Sequence, residues 1–213
     1  MSSIILRGAS ESTAVRRVAL VCKELGIEYK LAPIPWSDIK KPEHFAIQPF
    51  GQVPVLEDDG FVLYESRAIG RYLTLKYGKG SPLLPPTSDL KATALFEAAA
   101  SIEQADFDPF AAAIVWELRT KTRMTGQPTD EKRLGEVTAI LNTKLDGYER
   151  ILSKTKYLAG ENVTLADLFH VPCGCEPHQT SDGLDVLKTR PNVSRWWQDI
   201  VSRPSWQAVK NGA

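Results

Sequence analysis

Gln48-Pro49-Phe50-Gly51-Gln52-Val53-Pro54-Val55-Leu56 is followed eight residues later by Tyr64-Glu65-Ser66-Arg67-Ala68-Ile69. Prolines and a glycine bracket a short apolar run. Proline has no N–H to give to a central ladder, so Pro54 predicts the first position of a strand, or an edge. The Val53–Pro54 bond is also a candidate for the cis isomer. With its N–H and C=O facing outward, Val53 is able to pair with an extended, peptide-like ligand. Glu65 and Ser66, at the start of the next helix, are then placed to take that ligand's charged end. The same residues suit an ordinary hairpin leading into an N-capped helix, and local spacing does not separate the two.

Working outward, Asp59-Gly60 supplies a tight turn between strands over 53–56 and 61–64, and a helix over 65–77 closes at Gly78. Upstream, residues 3–8 read as a buried strand with β-branched Ile4 and Ile5. Val15, Val18, Ala19, Val21, Cys22 and Leu25 recur at helical spacing, and Gly26 stops that helix. Residues 27–34 read as a second strand, and Pro33, Pro35 and Pro42 punctuate the loop around Trp36. The order is β-α-β, a loop, then β-β-α, which fits a small α/β domain.

Gly, Ser and proline over 79–88 mark an interdomain linker, and everything beyond it reads as helix. A long helix over 89–123 carries an apolar face and is expected to bend at Asp108-Pro109. Thr129-Asp130 caps the next, whose apolar line runs from Leu134 to Leu152. Thr164-Leu165-Ala166-Asp167 reads as a capping box, with the Thr164 hydroxyl accepting from the Asp167 N–H and the carboxylate reaching back to the Thr164 N–H. Segments over 184–188 and 193–202 and a tail with Trp206 complete the chain. The expected division is 1–78, a linker over 79–88, and an all-α domain over 89–213.

Lys+Arg and Asp+Glu balance at 26 each, so no global field favours nucleic acid or an anionic membrane. Three cysteines argue against a disulfide framework. Cys173-Gly174-Cys175 has no second pair to complete a zinc site, and His170 with His178 makes a poor metal site, so none is expected. The N-terminus carries no signal-peptide pattern, and no apolar run reaches the roughly 20 residues of a membrane span. The expected location is cytoplasmic.

The turn before the first helix holds Ser10, Ser12 and Thr13. A hydroxyl at a helix N-terminus is able to donate to a thiolate and lower its pKa from about 8.5. Ser12 equally suits a plain N-cap. No histidine lies near in sequence to act as its base, which argues against a serine hydrolase. The pair Arg16-Arg17 reads as a solvated helix surface, although Arg16 is also placed to face an anion.

Pro49-Phe50-Gly51-Gln52-Val53-Pro54 with Glu65-Ser66-Arg67-Ala68-Ile69 resembles the glutathione-binding half of the cytosolic glutathione transferases, and is most similar to their phi class. The resemblance implies a thioredoxin-like N-terminal domain and an all-helical C-terminal domain. It implies conjugation of the glutathione thiolate to hydrophobic electrophiles, with possible reduction of organic hydroperoxides and no metal. In that class the activating serine stands five positions before an Arg-Val pair, which here selects Ser12, with Thr13 next and Ser10 weaker. Gln52, Val53 and Pro54 resemble the family's glutathione contacts, Glu65 and Ser66 those of the γ-glutamyl end, and Lys40 the lysine at the glycyl carboxylate. Ile39 stands where the class often has a histidine, which weakens the expected grip there. Phe50 resembles the phenylalanine that inserts into a partner subunit, implying a homodimer. Pro35, Trp36, Phe107, Phe110, Ala111 and Ile114 are the implied walls for the second substrate, though each also suits core packing. A non-catalytic carrier of hydrophobic ligands on the same fold is the alternative. A translation-factor subunit is disfavoured, and so is a cysteine-type thioltransferase, because Cys22 lies inside the first helix.

Overall fold

The computed structural model describes residues 4–175 and 190–213; His178 and the helix expected over 184–188 lie outside them. Two compact units form, Met1–Leu84 with Ser202–Ala213, and Pro85–Val201. The last twelve residues therefore pack with the first unit, whereas the sequence reading groups them with the helical one.

In the first unit, β1 (Ile4–Arg7), α1 (Thr13–Glu24) and β2 (Tyr29–Ala32) are followed by a one-turn helix α2 (Pro42–Phe45), then β3 (Val55–Asp58), β4 (Phe61–Tyr64) and α3 (Ser66–Tyr77). The sheet order is β2-β1-β3-β4, with β1 parallel to β2 and antiparallel to β3. Leu6 on the central strand lies opposite Leu31 and Leu56, and Leu6 and Leu56 are fully buried. This is the thioredoxin-like arrangement. The β3 ladder begins at Val55, two residues later than the alternation suggests, because Pro54 has no N–H to offer it. Asp59 (φ 50°) and Gly60 (φ 80°) make the two-residue turn to β4. Inside what reads as a proline loop, Pro42 opens α2 at the one helical position where a missing N–H costs nothing.

Helices α1 and α3 pack together. Arg16 and Arg17 are each 3% exposed, which corrects the reading of a solvated pair. Cys22 on the same helix is fully buried, and loss of solvent pushes its thiol up to about 12. None of the three cysteines forms a disulfide.

The second unit contains α4 (Leu90–Ile102), α5 (Asp108–Val115), α6 (Lys121–Thr125), α7 (Glu131–Leu152), α8 (Leu165–Cys175) and α9 (Pro191–Val201). The expected long helix is interrupted by π-helical turns over Glu103–Phe107 and Trp116–Thr120. The first precedes Pro109, whose missing N–H breaks the regular ladder at that point. At the head of α8 the capping box forms with one half changed. Asp167 Oδ2 accepts from the Thr164 N–H (2.8 Å) and from the Thr164 hydroxyl (2.9 Å), so the hydroxyl donates. Oδ1 takes the Leu158 N–H (3.0 Å) and the Trp196 indole N–H (2.9 Å). A fully buried carboxylate thus has four donors, as a buried charge requires. His170 is also fully buried; its Nδ1 donates to the Ala166 carbonyl (2.7 Å), leaving Nε2 to accept from the Tyr148 hydroxyl (2.9 Å). Among the described residues no cluster suits a metal ion, and no helix is long and apolar enough to cross a membrane.

The final helix, α10 (Pro204–Val209), returns to the first unit and packs on α1. Glu24, at the end of α1, accepts from Arg203 Nε (3.1 Å), from Arg203 Nη2 and from the Ser205 hydroxyl. Burial by itself pushes the Glu24 carboxyl up; the Arg203 and Ser205 hydrogen bonds more than offset this, and it stands below its ordinary value. A lowered folded-state pKa contributes stability that is fully present above the unfolded value, about 4.3, and lost as pH falls through the folded value. In urea melts, wild type should therefore exceed Glu24→Gln by a constant margin near neutral pH, and that margin should shrink below about pH 4.

Candidate functional site

Ser12 is the N-cap of α1, at φ −65° and ψ 129°, and its Oγ accepts from the Val15 N–H at 3.4 Å. A hydroxyl holds one proton and two lone pairs, so capping uses an acceptor site and leaves the proton available. Capping and donation to a ligand are therefore compatible roles. Ser12 is 9% exposed.

Ser66 is the first residue of α3, directly after the N-cap Glu65. It is 6% exposed, and its Oγ accepts from Arg17 Nη1 at 3.0 Å. Its lone pair too is engaged from within, and its proton is left for a ligand. Arg17 leaves α1 one and a half turns beyond Ser12, so this one bond ties the helix headed by Ser12 to the helix headed by Ser66. Glu65, immediately before, is exposed and sits at φ 72°, ψ 104°, a left-handed conformation uncommon for a residue with a Cβ. Backbone strain of this kind clusters at ligand-binding positions.

Between the two helix starts lies the loop of residues 48–54. Gln48 is 1% exposed, and its Oε1 accepts from the N–H groups of Phe50 (2.8 Å) and Gln52 (3.0 Å). His44 of α2, 6% exposed, donates from Nε2 to the Gln52 carbonyl at 2.7 Å. Gly51 sits at φ 59°, and a Cβ there would come within 2.6 Å of the Ile39 carbonyl oxygen, so only glycine fits. The Val53–Pro54 peptide is cis. Among the described residues no hydrogen bond takes up the N–H or C=O of Val53. The loop is thus pinned on its inner side and offers a peptide edge on the other. Gln52 is exposed, Val53 half-buried and Pro54 buried.

Lys40 is exposed beside this loop, with Nζ 3.0 Å from the Phe50 carbonyl oxygen. Its neighbour Lys41 is paired with Asp38 at 2.8 Å, which leaves Lys40 as the lysine of the loop. Phe50 is 62% exposed at the loop tip. Pro35 is exposed; Trp36 is half-buried and its indole N–H donates to Glu11 Oε1 at 2.8 Å, beside Ser12 in sequence. In the helical unit Phe107, Ala111 and Ile114 are buried and Phe110 is half-buried. Phe107 packs against His170 with ring centroids 4.6 Å apart, the core role that helical spacing leaves open.

Arg17, His44 and Gln48 carry no role in the sequence reading. Gln48 stands within the quoted stretch and Arg17 five positions after Ser12, yet neither position reveals its distant partner.

The pattern described as "Glutathione S-transferase, N-terminal domain" matches residues 11–75, and "Glutathione S-transferase, C-terminal domain" matches residues 107–204. Glutathione S-transferase PM239X14 of Arabidopsis thaliana is 48% identical over 204 residues, covering 92% of this chain and 91% of that one. Glutathione S-transferase hmp2 of Hypomyces subiculosus is 39% identical, covering 95% of each. The crystal structure of glutathione transferase F7 from Populus trichocarpa superposes with a TM-score of 0.91 at 34% identity, covering 98% of each chain. Glutathione S-transferase I from maize, solved with an atrazine glutathione conjugate, gives 0.89 at 34% identity, covering 98% of this chain and 97% of that one. With both domain patterns in order and full-length relatives among the plant F-type enzymes, the chain belongs to the glutathione S-transferase family and to its phi class.

Proposed function

We propose that this glutathione transferase binds glutathione along Gln52, Val53 and Pro54 and activates its sulfur with Ser12. The observation that carries this is the shared state of two hydroxyls. Ser12 and Ser66 each accept from a donor of their own unit, Val15 N–H and Arg17 Nη1, and each keeps its proton for a ligand. The tripeptide lies antiparallel to the open Val53 edge. Its γ-glutamyl carboxylate takes the Ser66 hydroxyl and the N-terminus of α3, and its ammonium takes Glu65. Its glycyl carboxylate takes Lys40.

At the central cysteinyl residue, the Ser12 proton and the N-terminus of α1 stabilise the thiolate over the thiol, so the thiol loses its proton to solvent near neutral pH. The thiolate then forms a sulfur–carbon bond with the electrophile, whose leaving group departs with the bonding pair. Attack on a peroxide oxygen is a minor extension of the same chemistry. Holding the two reactants together supplies the rest of the rate. Pro35 and Trp36 offer an apolar wall on this unit, and Phe110 keeps partial exposure in the other. The maize structure with a glutathione conjugate supports this chemistry, and relatives named as transferases over nearly their full length disfavour simple ligand carriage. The functional division into a glutathione-binding part over 1–78, a linker over 79–88 and a helical part over 89–213 belongs to the same proposal, as does a cytoplasmic location.

Replacing Ser12 by Ala removes the donor. The pKa of bound glutathione, read from thiolate absorbance, should rise by about one unit or more, with a tenfold or greater loss of conjugation rate at neutral pH; undiminished conjugation would exclude Ser12. Arg17→Leu leaves Ser66 without its internal donor, so glutathione should bind roughly tenfold more weakly by calorimetry, equivalent to about 1.4 kcal/mol. Phe50, an exposed aromatic on a proline-glycine tip, is proposed to anchor a homodimer. Phe50→Ser should then sediment largely as monomer, and a dimer of unchanged dissociation constant contradicts that role.

A further inference from the structure

The turn that carries Ser12 is held from a remote part of the chain. Within the turn, the Ser12 N–H donates to the Ala9 carbonyl at 3.0 Å. Its outer side meets residues 210–213. The Ala213 N–H donates to the Ser10 carbonyl at 3.1 Å, and the Ser10 hydroxyl donates to the Ala213 carbonyl oxygen at 3.4 Å. One turn beyond Ser12, buried Arg16 sends Nη1 to the Lys210 carbonyl at 2.8 Å and lies over the Trp206 ring, 5.7 Å from its centroid. Between these two grips the Gly212 N–H donates to the Val209 carbonyl at 3.1 Å and turns the chain toward Ser10. Gly212 has φ 151°, and a Cβ there would stand 2.5 Å from Ser10 Oγ. A side chain at position 212 must turn the Ser10 hydroxyl away from Ala213, and a residue with a Cβ is strained at this φ, so the segment no longer closes on Ser10 as it does with glycine.

Helix α10 has its own anchors in Trp206, 2% exposed, and in the Arg203–Glu24 pair. Its docking therefore does not need residues 211–213, and what those residues add is the position of Ser10. Ser10 stands two residues before the hydroxyl that faces the sulfur, and a misplacement of about 1 Å can cost a reaction roughly 100-fold. We propose that residues 210–213 are a strap that positions the thiol-activating turn, with Gly212 as the positioning residue that lets the strap close on Ser10. This rests on Ser12 as the thiolate donor. The strap supplies no atom to the reaction; it sets the distance from Ser12 Oγ to the glutathione sulfur.

The test is the thiol pKa of bound glutathione in the unaltered chain, in Gly212→Val and in a chain lacking residues 211–213. Both variants should raise that pKa by at least about half a unit, a threefold loss of thiolate at pH values below it, while glutathione affinity measured below that pKa stays within about twofold. A merely structural role would lower the melting temperature without moving the pKa. If Gly212→Val does not fold, the shortened chain gives the same reading. A pKa unmoved in the variants that fold, or loss of glutathione binding in them, overturns the strap. Ser12→Ala separates the two claims. If it leaves the pKa unchanged, the Ser12 reading fails and the strap falls with it. If it raises the pKa and the strap variants do not, only the strap fails. Gly212→Val added to Ser12→Ala should give no further rise.

Discussion

The buried guanidinium of Arg17 is the constraint around which the site is arranged. An ionised group almost out of water is tolerated only when its hydrogens are used, and one of them goes to Ser66 Oγ at 3.0 Å. That bond fixes how the heads of α1 and α3 stand relative to each other. Since Ser12 heads one helix and Ser66 the other, it also fixes how the two hydroxyls stand relative to each other. Two helix N-termini, each with partial positive charge and a serine hydroxyl that keeps its proton, are thereby held in one arrangement.

The stretch between them is prepared before any ligand arrives. Gln48 holds two N–H groups of the loop, His44 holds the Gln52 carbonyl, and Gly51 allows the backbone to pass close to Ile39. A loop held this firmly has little conformational freedom left to lose, so more of the energy of any contact it makes appears as affinity. The left-handed Glu65 belongs to the same design: the local cost is tolerated because α3 on one side and β4 on the other leave the residue no easier path.

Much of this was readable from the chain. Pro54 marked the start of β3, Asp59-Gly60 the hairpin turn, Gly26 the end of α1, and the two quoted motifs the family. What escaped was pairing at a distance. Arg17 and Ser66 are 49 positions apart, and arginines on a helix are ordinarily solvated, so Arg16-Arg17 read as surface. Thr164 with Asp167 read as a local box, but the carboxylate also serves Leu158 and Trp196, partners that no local spacing reveals. The π turns escaped for a different reason: inserting one residue per turn barely disturbs an apolar periodicity, so the sequence still resembles a plain helix.

Cys22 has a chemical consequence. A protein that brings electrophiles beside an activated sulfur also exposes its own sulfurs to them. With its thiol pushed up to about 12 by burial in α1, Cys22 stays protonated near neutral pH, and no surface of it faces solvent. The same helix therefore carries opposite treatments of sulfur at its two ends: a polar N-terminus suited to charge a guest thiol, and an apolar interior that keeps the resident one neutral. Alkylation of Cys22 is suppressed by its placement alone.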